Sequence, residues 1–324
     1  MSDGSATPVP AATGKQSPAG VCAVVVTYNR CALLARCLDS LSHQGTMLSS
    51  IVVVDNASTD DTETCMRIRV AEQGERLIYH RLACNKGGAG GFAHGVATAL
   101  SLHADWIWMM DDDAEPEPQA LGELLAQARN PGDVYASVPQ RNGVLAWPAT
   151  WRDAAGAWRV ARRLEDLPPT CAVESHPFLG FLIHRELVER VGLPDATLFI
   201  SADDIEYSLR ARASGAEIVL VRASRISHPV AQIHERRFAG RRFIFLSLPP
   251  WRRYYDTRNR LLVARRHHGH RFWTQAIPGT LARTILILLG EPGKLRQLKA
   301  ALAGLWDGCR GRTGARHHWW HLDS

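Results

Sequence analysis

The residues best equipped for chemistry are three consecutive carboxylates, Asp111, Asp112 and Asp113, placed directly after the apolar run Trp106-Ile107-Trp108-Met109-Met110. Like charges gathered at the end of a buried strand repel one another, and they are costly unless a cation sits among them. In extended backbone Asp111 and Asp113 project to the same side and could share one divalent ion. Oxygen ligands favour Mg2+ or Mn2+. An acidic turn in water is the plainer alternative.

A second acidic pair, Asp203-Asp204, opens the segment Asp203-Asp204-Ile205-Glu206-Tyr207-Ser208-Leu209-Arg210. Carboxylates at a helix start commonly serve only as capping and dipole partners. The same dipole keeps a carboxylate ionised, as a general base requires. Spacing alone leaves both uses open. His228, in Ile226-Ser227-His228-Pro229, follows another strand. A lone histidine is usually structural, but imidazole beside two carboxylates suits Mn2+. The stretch Asn85 to Ala93 carries Gly88, Gly90 and Ala93 in a dinucleotide-like G-x-G-x-x-A spacing. That fingerprint belongs after the first strand of its unit, whereas the first strand here ends in Thr27-Tyr28-Asn29-Arg30. The glycines are better suited to close backbone approach to a phosphate or sugar, or to tight helix packing.

These groups need elements to position them. Val21 to Thr27 is a continuous β-branched run that reads as a buried parallel strand. Cys31 to Ser42 places Leu33, Leu34, Cys37, Leu38 and Leu41 on one helical face. Ile51 to Val54 reads as a strand, Asp60 to Gln73 as a helix and Leu77 to Leu82 as a strand. A helix then ends near His103, and Asp105 to Met110 forms a fourth strand. Pro116 to Arg129 reads as a helix with proline in its first turn. Residues 131–176 read as short strands and turns, with Trp147, Trp151 and Trp158 in a flap over the site. His184 to Val191 and Asp203 to Ser214 are expected helices, Leu198 to Ser201 an extended segment and Glu217 to Val221 a strand. This alternation predicts an α/β fold with a mixed, mostly parallel sheet flanked by helices. The polar residues after successive strands would then share one rim, where ligands of such sheets sit.

Charge is unevenly distributed. Among 324 residues with a net charge of +6, residues 236–324 hold 18 of the 38 Lys and Arg but only 4 of the 32 acids, a local charge of +14. Such a basic, largely helical C-terminal region suggests contact with something anionic. Seven scattered cysteines without a C-x-x-C pair support neither a zinc ribbon nor a disulfide framework and fit a reducing cytoplasm. Residues 1–20 read as a disordered leader without a secretory pattern. No apolar run reaches the roughly 18–20 residues of a membrane span.

Six segments occur in an order that resembles the family 2 inverting glycosyltransferases of GT-A fold: VVVTYNR (24–30), IVVVDNASTD (51–60), NKGGAGGFAHG (85–95), DWIWMMDDD (105–113), FISADDIEYSLR (199–210) and ISHP (226–229). The likeness is greatest to the bacterial galactofuranosyltransferase and rhamnosyltransferase branch. It covers about residues 21–235 and continues loosely through YYDTRNR (254–260). The resemblance implies that Thr27, Tyr28, Asn29, Arg30, Asp55, Lys86, Gly88 and Asp112 bind the nucleotide-sugar donor. It makes Asp111, Asp113 and His228 ligands of Mn2+ or Mg2+, Asp204 the catalytic base and Asp203 its neighbour in orienting the acceptor. UDP-galactofuranose is the first-choice donor and dTDP-rhamnose the second, with a lipid-linked or polysaccharide glycan as acceptor. The Q-x-x-R-W motif of processive synthases is absent, which disfavours processive synthesis.

The basic region then fits a peripheral membrane role at the inner face of the cytoplasmic membrane. Ile277 to Leu289 and Leu295 to Trp306 would be amphipathic helices, and Trp251, Tyr254, Tyr255, Trp273 and Trp306 interfacial aromatics. Dimerisation, giving a homo-oligomer, is the competing use of this region. Three rivals have less support. A nucleotidyltransferase lacks its glycine-rich signature here, and an NAD-binding oxidoreductase rests on Gly88 to Ala93 alone. A nucleic-acid-binding protein would set its phosphates against the acidic rim, so no nucleic-acid partner is expected.

Overall fold

The computed structural model describes residues 20–230, 233–238, 241–290 and 293–322. The leader expected over residues 1–20 therefore lies outside the described residues except for Gly20. The first half alternates strand and helix: β1 (Val21–Thr27), α1 (Cys31–Ser42), β2 (Leu48–Asp55), α2 (Thr62–Gln73), β3 (Leu77–Arg81), α3 (Gly87–Ser101) and β4 (Trp106–Asp111). β1 pairs in parallel with β2 and β4, and β3 lies beyond β2. All seven residues of β1 are buried, as expected of a strand covered by helices on both faces. Val21, Ala23 and Val25 pack on one side with Leu34, Cys37, Leu38 and Leu41 of α1. Val24 and Val26 pack on the other with Phe92 and Val96 of α3.

After β4 come β5 (Glu115–Pro116), α4 (Ala120–Gln127), β6 (Val134–Arg141), β7 (Val144–Arg152), β8 (Trp158–Arg163), β9 (Thr170–Val173), β10 (Leu179–His184), α5 (Arg185–Val191), α6 (Asp203–Ala213) and β11 (Ile218–Ser227). Together the strands form a mixed eleven-stranded sheet of order β3-β2-β1-β4-β10-β6-β11-β9-β7-β8, with β5 paired to β11. β10 runs antiparallel between β4 and β6, and β11 runs parallel to β6. Three expectations are corrected. Pro116 pairs with Ile226 in β5 instead of opening a helix, and α4 begins at Ala120. Residues 131–176 extend the main sheet and are not a separate flap, because β6 takes an interior position in it. Leu198 to Ser201 is not extended: a single 3-10 turn over Ala196–Leu198 runs into positive φ angles at Phe199, Ser201 and Ala202.

A β-hairpin of β12 (Ile233–Phe238) and β13 (Arg241–Leu246) leads to three helices, α7 (Pro250–His267), α8 (Ile277–Gly290) and α9 (Lys294–Cys309). Pro250 occupies the first turn of α7, where its missing N–H costs nothing. The small face of α9, Ala300, Ala301, Ala303 and Gly304, is buried, with Gly304 set against Tyr254 of α7. Tyr254 and Tyr255 are fully buried. They are core residues of this helical layer and not interfacial aromatics, since Tyr254 Oη donates to buried Asp307 at 2.7 Å. Among the described residues no helix is long and apolar enough to cross a membrane.

Candidate active site

A cleft of about 980 Å³ opens at the carboxyl ends of β1 and β4. Its sheet wall includes Thr27, Tyr28, Arg30, Asn56, Gly88, Asp111 and Asp112. Arg30 organises this wall. Its Nη1 donates to Asp112 Oδ1 and to Asp113 Oδ2, both at 3.1 Å, while Thr27 Oγ1 donates to Asp112 Oδ2 at 2.8 Å. Burial pushes the Asp112 carboxyl up against the pull of Arg30 and Thr27. Burial also opposes ionisation of Asp113, yet His228 and Arg30 hold its carboxyl below the usual range. Asp111 has only the weaker pull of the Arg30 charge. Burial, and then the charges of Asp113, Asp112 and Asp203, push its carboxyl well above the ordinary carboxylate range.

The opposite wall is helical and includes Ser201, Ala202, Asp203, Asp204, Trp251, Arg252, Asp256, Arg260 and Arg283. Asp203 and Asp204 are the first two residues of α6, entered through an unusual backbone. Phe199, Ser201 and Ala202 have φ of 67°, 73° and 61°. Each such residue costs about 1–3 kcal/mol and persists only where its surroundings over-determine it. The surroundings here come from α7. The fully buried Asn259 shares its Nδ2 among Leu198 O (2.9 Å), Ile200 O (2.9 Å) and Ser201 O (2.8 Å). Arg258, also fully buried, adds Nη2 to Leu198 O at 2.9 Å. On the other side, Ala89 N of α3 donates to Phe199 O at 3.0 Å. Gly87 permits that approach, because a Cβ there would lie 2.0 Å from Phe199 O. The segment is thus clamped between the start of α3 and the middle of α7.

Burial and then mutual repulsion raise the Asp203 carboxyl, and burial raises that of Asp204. Asp204 Oδ1 accepts from Ile205 N at 2.7 Å, so the expected N-terminal backbone contact is present. The N-cap position is Ala202, which makes no side-chain cap, so the acids of this first turn serve the cleft wall and not a cap.

Of the residues singled out from the sequence, Thr27, Tyr28, Arg30, Gly88, Asp111, Asp112, Asp203 and Asp204 line one cleft. Asp55 is completely buried behind it, accepting from Tyr79 Oη at 2.6 Å and Ser58 N at 2.8 Å. Asn29 ties two loops together, with its Oδ1 accepting from Thr59 N at 2.7 Å. Lys86 N donates to Asn56 Oδ1 at 3.2 Å, which seats the start of α3 beside the cleft. His228 Nε2 lies 3.4 Å from Asp113 Oδ1. The glycine stretch packs α3 on the sheet: a Cβ on Gly91 would meet Val26 at 2.5 Å.

Among the described residues no three His, Cys, Asp or Glu side chains form a closed metal centre. Asp111, Asp113 and His228 are therefore not a preformed triad, in part because the chain turns after Asp111 and does not continue the strand that sequence spacing implied. The donor set still fits a divalent cation. Asp113 Oδ1 is buried with nothing nearer than the 3.4 Å approach of His228 Nε2 and no formed hydrogen bond, and Asp111 is a carboxyl whose repulsions a cation would offset.

Sequence reasoning missed several wall residues. Trp147 of β7 lines the cleft with its ring 5.1 Å from that of His228. His176 also lines it, and burial drives its pKa down to about 4, so it is neutral at physiological pH. Arg252, Arg260 and Arg283 were read only as basic-region charge, although the YYDTRNR segment was a signal for Arg260.

An acidic rim on a sheet of this order, facing a helix that starts with two more acids, defines a glycosyltransferase of GT-A fold. The mannosyltransferase PcManGT of Pyrobaculum calidifontis, solved with GDP-Man and Mn2+, has that fold; it is 18% identical, with a TM-score of 0.55 covering 91% of this chain and 88% of that one. The profile of "Glycosyl transferase family 2" matches residues 22–192, and the chain belongs to that family. Galactofuranosyltransferase GlfT1 of Mycolicibacterium smegmatis is 36% identical over 223 residues, which is 64% of this chain and 70% of that protein. The dTDP-rhamnosyl transferase RfbF of Shigella flexneri is 24% identical over 317 residues, 90% of this chain and 96% of its own length.

Proposed function

We propose that the cleft transfers galactofuranose from UDP-galactofuranose to a hydroxyl of a lipid-linked or polysaccharide acceptor during bacterial cell-envelope glycan synthesis, with inversion at the anomeric carbon. The observation that carries this reading is the convergence of Asp111 and Asp112 with Asp203 and Asp204 on one cleft from segments some ninety residues apart in the chain. The likeness to GlfT1 supports galactofuranose as the sugar, and the likeness to RfbF keeps dTDP-rhamnose as the second choice. An oxidoreductase reading falls away with the family assignment and with the packing role of the glycines.

In the proposed reaction Asp204 accepts the proton of the acceptor hydroxyl while that oxygen bonds to the anomeric carbon. The bond from that carbon to the diphosphate oxygen breaks in line, and the nucleoside diphosphate leaves. Asp203 orients the acceptor beside Asp204. Arg30 and Asp112 shape the donor wall, with Thr27 fixing Asp112. Asp111, Asp113 and His228 would hold Mn2+ or Mg2+, whose chemistry is to neutralise charge on the departing diphosphate. The basic C-terminal region would hold the enzyme against an anionic membrane, with Trp273, Leu281, Ile285 and Leu295 exposed on it.

A thermal-shift panel of UDP-, dTDP- and GDP-sugars, with and without Mn2+, tests the reading. Stabilisation by UDP-galactofuranose that needs Mn2+ is expected. A shift with GDP-sugars alone, or none with any sugar nucleotide, would overturn it.

A further inference from the structure

The helical wall sets three arginines against its three acids, Asp203, Asp204 and Asp256, yet leaves two of those arginines with an unpaired donor. Arg252, Arg260 and Arg283 all line the cleft, where Asp256 is the acid nearest to the last two. Asp256 is already committed: its Oδ1 accepts from Arg260 Nε at 2.8 Å, and Arg253 Nη1 lies 3.8 Å from its Oδ2. Arg283 is left over. Its Nε is buried with no hydrogen-bond partner, as is that of Arg252. Burial and then the charge of Arg260 bring the Arg283 pKa down to about 10. Buried guanidinium donors without acceptors are rare and call for a reason. A role confined to pinning α8 to α7 would be served by one arginine on Asp256.

The position of the cluster indicates what it would hold. Arg260 is close enough to Asp204 for each charge to act on the other. The groups flanking the base face the acceptor, whereas the donor diphosphate belongs with Asp111, Asp113 and Arg30 across the cleft. Guanidinium groups match phosphoryl oxygens in fork geometry better than any other side chain.

We propose that Arg260 and Arg283 form a second phosphoryl-binding site on the acceptor side of Asp204, which takes a phosphate or diphosphate group carried by the acceptor. This rests on the reading of Asp204 as the base and of the sheet wall as the donor site. The site would anchor a charged acceptor while its sugar hydroxyl reaches Asp204.

The test is calorimetric titration of the full chain with farnesyl monophosphate, inorganic phosphate and farnesol, each with UDP and Mn2+ already saturating. Farnesyl monophosphate should bind beside UDP, and Arg283→Gln should weaken it about tenfold or more, as loss of a charged hydrogen bond implies, with UDP affinity kept. Arg283→Lys, which keeps the charge but not the fork, should bind more weakly than the natural chain and more tightly than Arg283→Gln. Equal affinity for inorganic phosphate would support the site and show that the lipid tail is not read. Displacement by UDP, equal affinity for farnesol, or unchanged affinity in Arg283→Gln would each overturn it. The melting temperature separates a structural role: ligand-free Arg283→Gln should melt no lower than the natural chain, and a large drop would overturn the proposal. Failure of UDP to bind at all would count against the donor reading, while the Arg283→Gln comparison would still decide the phosphoryl site.

Discussion

The two walls of the cleft are built on opposite principles. The sheet wall sits at strand ends, with Asp112 and Asp113 held by Arg30 and by Thr27 or His228. The helical wall depends on three residues of positive φ and on half-buried arginines, of which Arg252 and Arg283 each bury an Nε without a hydrogen-bond partner. The first wall is a local consequence of strands ending in polar residues. The second is imposed from a distance, since Asn259 reaches back some sixty residues to hold the backbone before Asp203. Local order in one wall and imposed order in the other imply separate failures on mutation: loss of donor binding in the first, loss of turnover in the second.

The largest effect should come from Asp204→Asn. Turnover is expected to fall at least ~10²-fold, the lower end for a general base, with donor affinity unchanged. Full activity of this variant in a steady-state assay would remove Asp204 from its role. Next is Asn259→Ala, which strips a shared donor from three carbonyls and should cost about 1–3 kcal/mol of stability. If the clamp positions the base, kcat falls more than KM for the donor rises. A stability loss with unaltered kcat in the folded enzyme would reduce Asn259 to a packing role.

Asp203 gives a smaller effect with a definite sign. Burial and the Asp204 charge raise its carboxyl pKa in the fold, so the folded chain holds a proton more tightly than the unfolded one. Its ionisation therefore costs stability as pH rises from the unfolded value through the folded one. Asp203→Asn should match the natural chain's melting temperature near pH 4 and exceed it by a few degrees near pH 8. No change in the difference between those pH values would contradict the assigned shift. For the same reason the acid limb of kcat should lie above the ordinary carboxylate range, and the pair should titrate as a unit. The smallest effect concerns the outer surface. Leu295 is 84% exposed, so Leu295→Ser should alter stability by no more than about 0.5 kcal/mol while reducing flotation with anionic liposomes. Equal flotation would detach that surface from membrane contact.

The contrast also accounts for what was legible in the sequence. Apolar runs such as Val21 to Val26 and Trp106 to Met110 end in polar residues, so the sheet wall and its acids could be read from local pattern. Leu198 to Ser201 reads as extended because Leu, Phe and Ile favour strands. Its real conformation is set by Asn259, Arg258 and Gly87, none adjacent in sequence. β6 and β10 were obscured because an apolar strand gives no sign of its partners. The basic stretch after residue 236 shows charge but not burial, which hid Arg258 and the two tyrosines in the core.

The difference between the walls can be measured in one titration, UDP into the natural chain, Asp113→Asn and Asp204→Asn, with and without Mn2+. Mn2+-dependent binding should be lost in Asp113→Asn and kept in Asp204→Asn. Binding that survives in the first variant and disappears in the second would contradict the division of labour across the cleft.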